Sequence, residues 1–142
     1  NEDGIEFCGS VDIANYLGKM DFLLLTSLSE GQPLTILEGY AAKKPTIATN
    51  VGNCYGLIYG EEEDELGDAG IVVPVMNVQE ISSAILKLAG EEEKRKAMGE
   101  VGYKRLKNKY LIRMMVDKYE DIYYELDRKS YGRNRDSVKS NI

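Results

Sequence analysis

The sequence predicts an α/β fold, a doubly wound parallel sheet with helices at its C-terminal end, on three observations. Short apolar, β-rich runs alternate with segments of helical periodicity, the order expected of repeated βα units. One run, Phe22 to Thr26, lacks the polar–apolar alternation of a half-exposed strand and reads as one covered on both faces. Near the end, Ile112, Met115, Val116, Tyr119, Ile122, Tyr123 and Leu126 keep a strict three- and four-residue spacing, which makes a one-sided helix.

The elements follow in order. Ile5 to Cys8 is predicted as a first strand. A short helix over Val11 to Leu17 follows, capped by Ser10 or Asp12 and closed by Gly18. After the Phe22–Thr26 strand comes a polar loop, Ser27 to Gln32. Pro33 then stands where a first helical turn begins, a position that suits its fixed φ. The helix from Leu34 to Lys43 has Leu34, Leu37 and Ala41 as its expected buried stripe. Pro45 to Thr49 is a strand, Val51-Gly52-Asn53 a turn and Cys54 to Tyr59 a short helix. Ala69 to Pro74 is a further strand and Val78 to Leu88 a helix. Two longer helices, Glu91 to Lys109 and Ile112 to Leu126, complete the domain. Residues 1–126 thus form one folded domain, and 127–142, rich in Arg, Lys, Ser and Asn, read as a polar flexible tail.

Composition narrows the function classes. With 43% hydrophobic and 30% charged residues, this is the balance of a globular domain, and no apolar run approaches a membrane span. The net charge of −6 argues against nucleic acid as a partner. The absence of histidine excludes Ser–His and Cys–His nucleophile schemes and most zinc sites. Cys8 and Cys54 have no metal-ligand spacing and are expected as small buried thiols. The opening Asn1-Glu2-Asp3-Gly4 is no signal peptide, and its direct run into a strand suggests a chain cut from something longer.

Chemistry concentrates in Ser27-Leu28-Ser29-Glu30-Gly31-Gln32-Pro33-Leu34-Thr35-Ile36-Leu37-Glu38-Gly39. One carboxylate lies in the loop after a buried strand and a second just over a turn into the next helix. In open parallel sheets ligands sit outside the carboxyl ends of the strands, where this loop is expected. The helix start adds free N–H groups and a positive dipole end suited to phosphate. Gly31 leaves room for close approach. Glu38 falls about 40° from Leu34 around the helix, at ~100° per residue. From there its carboxylate can accept hydrogen bonds from vicinal hydroxyls such as those of ribose, and Glu30 can do so for a sugar. A loop charge and an exposed helix residue would give the same spacing, so spacing alone leaves both readings open.

Glu30, seven intervening residues and Glu38, set in Ser-x-x-Glu-Gly-x-Pro-x-x-x-Leu-Glu, resemble the signature of glycosyltransferase family 4. Phe7-x-Gly9 with Tyr16, Asp21-x-x-Leu24-Leu25-x-Ser27, Ala41 to Gly52, Ala69 to Pro74, Arg95-x-x-Met98-Gly99 and Tyr119-x-x-Ile122-Tyr123 extend the resemblance over residues 5 to 126. Within that family the blocks are most similar to the transferases of Pel-type exopolysaccharide systems. The resemblance implies the Rossmann-like C-terminal half of a GT-B fold, with 1–126 as the nucleotide-sugar-binding domain. It implies Glu38 on ribose, Glu30 as the catalytic-site carboxylate on donor-sugar hydroxyls, and Gly31, Gln32, Pro33, Leu34 and Thr35 along the sugar and diphosphate. Gly9, Ser10 and Val11 would border the base. It further implies a UDP-sugar donor, transfer with retention, no metal and no cofactor. The diphosphate-gripping cations and the glycan acceptor site would lie upstream, so this chain is expected to bind donor weakly and to catalyse nothing alone. Gly56 departs from the pattern, which often has Glu there.

The acidic run Glu61 to Glu65, with Asp68, fits no EF-hand and is expected as a solvated loop. Most of the ten tyrosines are expected to pack. Part of the last helix's Tyr and Met face is expected to remain exposed, with self-association as a consequence. The expected location is cytoplasmic, or membrane-associated within a polysaccharide export system. Two other classes stay in view. A GT-B sugar-nucleotide epimerase half is disfavoured by the Glu30/Glu38 pair and would be revealed by donor hydrolysis products. A flavodoxin-like regulatory domain would carry an Asp pair at the end of its first strand, which this chain lacks.

Overall fold

Three parallel strands carry the sheet: β1 (Leu23–Leu25), β2 (Thr46–Thr49) and β3 (Gly70–Val73), in the order β1-β2-β3. The computed structural model describes residues 4–138, and side chains as far as Arg128. The α/β prediction holds, as a parallel sheet with flanking helices and no reversal of strand order among the described residues. Thr46, Ile47 and Ala48 of β2 stand opposite Leu23, Leu24 and Leu25 on one side and Gly70, Ile71 and Val72 on the other. Because β2 is paired on both edges, all four of its residues are buried. β1 is an edge strand and only partly covered. Leu24 is 47% exposed, so the expectation of cover on both faces fails there.

The helices of this part are α1 (Ala14–Leu17), α2 (Leu34–Ala41), α3 (Cys54–Tyr59), α4 (Val78–Gly90) and α5 (Glu92–Lys109). One core forms where Ile47 and Val73 meet Ala84 and Leu88 of α4 and Met98 of α5, flanked by Phe22, Ile71, Ile81 and Ile85. Each fully buried side chain such as Ile47 or Leu88 contributes roughly 1.5–3 kcal/mol. A cap forms at α4, where the Asn77 side chain accepts from the Glu80 N–H at 3.1 Å. α5 lies close against the end of α2. A Cβ on Gly99 would stand 2.0 Å from the Lys43 carbonyl oxygen, and one on Gly102 would stand 2.4 Å from the Tyr40 ring.

Several expectations change. Ile5–Cys8 forms no strand. Ile5 and Phe7 are exposed, and no neighbouring strand among the described residues completes their backbone hydrogen bonds. α1 is shorter than expected and begins after Ile13, and the Asp12 carboxylate accepts from the Ala14 N–H and from the Asn15 side chain. The buried stripe of α2 is Ile36, Gly39 and Tyr40, whereas Leu34 and Ala41 are exposed. Cys54 is buried as expected, but Cys8 is exposed.

The acidic loop differs most. Asp64 is almost fully enclosed, its carboxylate gripped by Arg105 Nε at 2.8 Å and Nη2 at 3.1 Å. Arg105, itself 0% exposed, also donates to the carbonyls of Leu57, Ile58 and Gly67. Burial pulls the guanidinium pKa down, but the Asp64 hydrogen bond and charge outweigh it and hold the pKa above its usual value. Local composition signals a charged surface; the partner that buries Asp64 lies 41 residues away.

The chain divides into two compact units, Asn1–Leu106 and Lys107–Ile142. In the second unit α6 spans Ile112–Val138. The helix therefore does not stop at Leu126 as expected. Residues 127–138 continue it, and 139–142 of the expected tail lie outside the described residues.

Candidate functional site

The carboxyl ends of β1 and β2 hold the Glu30 loop in place. Thr49, at the end of β2, donates its hydroxyl to the Ser27 carbonyl at 2.5 Å and lies 3.4 Å from that of Leu25. Ser27 in turn donates its hydroxyl to Glu30 Oε1 at 2.6 Å. The loop after β2 supports the same residues from the other side. Asn53 N–H donates to the Gly31 carbonyl at 2.8 Å. Gly52 has φ +50, and a Cβ there would lie 2.0 Å from the Glu30 carbonyl oxygen and 2.6 Å from that of Gly31. Only glycine satisfies both that conformation and that approach.

Glu30 is half-buried, while Gly31, Gln32, Leu34 and Thr35 are exposed. Pro33 is buried and caps α2 from outside, with φ −69 and ψ 117, one position earlier than the first turn expected for it. The Ile36 N–H folds back onto the Pro33 carbonyl at 3.3 Å. No acidic residue occupies the first turn of α2, so nothing on that turn neutralises the positive end of the helix. Glu38 is exposed and shares the solvent face with Leu34, which is 69% exposed. The 40° offset from Leu34 therefore stands, but that face is open rather than the edge of a packed stripe.

Cys54 sits beneath this loop with its side chain fully buried. Burial pushes its thiol above the usual 9.0; the Val51 backbone opposes the shift and the nearby Glu30 carboxylate adds to it. Gly56, where the resemblance often has Glu, lies beside the Asn53 side chain, and a Cβ there would stand 2.3 Å from Asn53 Oδ1. That atom is the movable end of a side chain, so a larger residue at 56 would displace the Asn53 side chain rather than the backbone turn that braces Glu30.

The structure brings Glu30, Gly31, Thr35 and Glu38 to one edge through consecutive chain. Gly9, Ser10 and Val11 are all exposed, and among the described residues no hydrogen bond ties them to the Glu30 loop. A cavity of about 150 Å³, lined by Asp21, Lys43, Lys44, Glu92, Arg95 and Lys96, belongs to the opposite end of the sheet, where strands begin. Thr49, Gly52 and Asn53 are the supports that sequence reasoning missed. The turn itself is legible from Val-Gly-Asn, but its contact with Glu30 is not local. Among the described residues no group of three or more His, Cys, Asp or Glu could hold a metal ion.

This braced loop and helix start lie within the stretch matched by the family described as glycosyl transferases group 1, which covers residues 1–91. The chain belongs to the group 1 glycosyl transferases. N-acetyl-alpha-D-glucosaminyl L-malate synthase of Bacillus anthracis is 30% identical over 128 residues, 89% of this chain and 32% of that protein. Among solved structures, sucrose-phosphate synthase from Thermosynechococcus elongatus superposes with TM-score 0.80 at 21% identity, over 90% of this chain and 31% of the other. The C-terminal domain of a group 1 glycosyl transferase from Francisella tularensis gives TM-score 0.61 at 28% identity, over 76% and 53%. This glycosyl transferase chain thus spans about a third of the length of the first two proteins. Its fold is that of GT-B glycosyltransferase domains.

Proposed function

We propose that this chain is the donor-binding part of a retaining family 4 glycosyltransferase, holding a nucleotide-diphospho-sugar at the carboxyl edge of its sheet. One observation carries this reading. The Glu30 carboxylate is fixed by Ser27 beside an α2 start with no acidic first turn, while Glu38 stays open on the next turn. The first two features suit a sugar diphosphate; the third suits a diol.

In this reading Glu38 accepts hydrogen bonds from the ribose hydroxyls and Glu30 from hydroxyls of the donor sugar. Amides of Gly31 to Thr35 face the sugar and diphosphate, and the backbone at Gly9, Ser10 and Val11 borders the base. The chemistry asked of these residues is positioning the anomeric carbon and stabilising charge on the leaving diphosphate. No metal or organic cofactor is required, UDP is the expected carrier, and the glycan acceptor binds protein outside this chain. The fragment alone therefore transfers no sugar. Motif order supports the Pel-type exopolysaccharide class, with the reaction in the cytoplasm and membrane contact made through an export assembly.

Calorimetric titration with UDP, GDP and ADP tests the reading. One nucleotide should bind, and Glu38→Ala should weaken it by about tenfold or more, the loss of hydrogen bonds to a charged group. Equal affinity of the Glu38→Ala variant for that nucleotide would overturn the ribose assignment.

A further inference from the structure

A cavity of about 150 Å³ opens where the strands begin, at the end of the sheet away from Glu30. It has room for a hydrated ion, since one water needs only ~10–15 Å³. Four of its six lining residues are cations, Lys43, Lys44, Arg95 and Lys96, in a chain whose net charge is −6. Two of the four are answered on the surface. Lys43 Nζ holds Glu100 at 2.6 Å, and Lys96 Nζ holds Glu92 at 2.9 Å and Glu93 at 3.3 Å. The other two keep surplus charge. Lys44 makes no ion pair among the described residues, and Arg95 meets one carboxylate, Asp21, at 3.5 Å with that side chain 75% exposed.

Arg95 is also held ready. Its side chain is 15% exposed, and Nη1 donates to the Leu88 and Ala89 carbonyls at 2.5 and 2.8 Å. Both Nη1 hydrogens are spent there, which fixes the guanidinium plane. Nε makes no hydrogen bond among the described residues, and Nη2 makes only the long one to Asp21. That edge is a two-pronged donor with little freedom left to lose. The backbone at Lys43 is an independent sign. It sits just past the end of α2 at φ +57, the left-handed position that favours glycine. A local rule broken in this way marks a functional or strained site. Here the bend closes the Lys44 N–H onto the Gly39 carbonyl at 2.8 Å, and both lysines line the one cavity.

We propose that this cavity binds a phosphate monoester or inorganic phosphate, free or at a lipid headgroup, between the Nε–Nη2 edge of Arg95 and the Lys44 ammonium. Such a phosphate offers two oxygens to the guanidinium fork and a third to the lysine, whereas a carboxylate has only two. Asp21 already sets one oxyanion weakly at Nη2, and its exposed side chain can turn out to water when phosphate enters. Glu92 lines the cavity as well, and its pairing with Lys96 offsets its repulsion.

Calorimetric titration of the whole 142-residue chain with inorganic phosphate at low salt tests the free form. Flotation with phosphatidylcholine vesicles, with and without phosphatidic acid, tests the headgroup form. At least one probe should bind. Lys44→Ala and Arg95→Lys should each weaken it about tenfold or more, the second by keeping the charge and removing the fork. Lys44 makes no side-chain hydrogen bond among the described residues, so its variant decides the matter if Arg95→Lys loosens the end of α4. Asp21→Asn should tighten binding severalfold by removing the competing carboxylate. Lys104→Ala, exposed and outside the cavity, should leave binding unchanged, which separates this site from general charge attraction. Glu38→Ala should leave it unchanged too, which separates it from the edge at Glu30. Phosphate binding without flotation assigns a free ligand; flotation that needs both phosphatidic acid and Lys44 assigns a headgroup. No binding of either probe, or binding that Lys44→Ala leaves intact, would overturn the site.

Discussion

Two acidic stretches of this chain invite opposite readings, and their environments reverse part of each. Glu30 and Glu38 stand in a motif and look functional; both keep solvent access, over a scaffold that hydrogen bonds hold fixed. Glu61 to Glu65 look like a solvated run, yet Asp64 in their midst forms a fully enclosed ion pair. An enclosed carboxylate with a bidentate guanidinium organises structure, since its lone pairs are committed. A half-open carboxylate oriented by one hydroxyl retains acceptor capacity for a ligand.

The sharpest way to break this comparison is at Asp64. Asp64→Ala strands the Arg105 guanidinium in the interior and should cost about 3–5 kcal/mol in urea unfolding. Because Arg105 also holds the last carbonyls of α3, hydrogen exchange should rise across α3 together with 64–68. A loss below 1 kcal/mol would return Asp64 to the solvated class.

Next in size is Gly52→Ala. The added methyl meets the Glu30 carbonyl at 2.0 Å and also opposes φ +50, so the loop must move. Stability should fall by about 1–3 kcal/mol, and nucleotide affinity should fall with it even though Gly52 offers no side chain to a ligand. Glu38→Ala should show the converse, with stability within about 0.5 kcal/mol of the parent while nucleotide binding weakens by about tenfold or more. Equal unfolding penalties for the two variants would erase the distinction between support and contact.

Much of this is legible in the sequence, and the limit is physical. The βα order is legible because apolar runs and helical periods are local, and α3 falls on Cys54–Tyr59 as the pattern indicates. Glu30 and Glu38 are legible through their motif. Ile5–Cys8 is misread because a strand exists only by pairing, and its β-rich composition carries no information about a neighbour. The α2 stripe is misread because Leu34, Leu37 and Ala41 fit helical spacing as well as Ile36, Gly39 and Tyr40 do. What selects the second set is packing from two sides, Leu23 and Thr46 of the sheet against Gly39 and α5 through Gly102 against Tyr40. Asp64 and Arg105, like Gly52 and Glu30, meet across separations that no local pattern encodes.

The smallest effect is expected at Glu63, and it separates backbone from charge within the acidic run. Glu63 holds φ +71, a left-handed conformation that costs a non-glycine residue roughly 1–2 kcal/mol. Glu63→Gly removes that cost and adds entropy to the unfolded chain, so the net gain should be up to about 1 kcal/mol. Glu62→Ala, on an exposed neighbour, is the control and should change stability by less than about 0.5 kcal/mol. If removing either charge gave the same gain, repulsion within the run would be the cause. A gain confined to Glu63→Gly assigns it to the turn that delivers Asp64 to Arg105, and makes the run a device for burying one carboxylate while its neighbours stay in water.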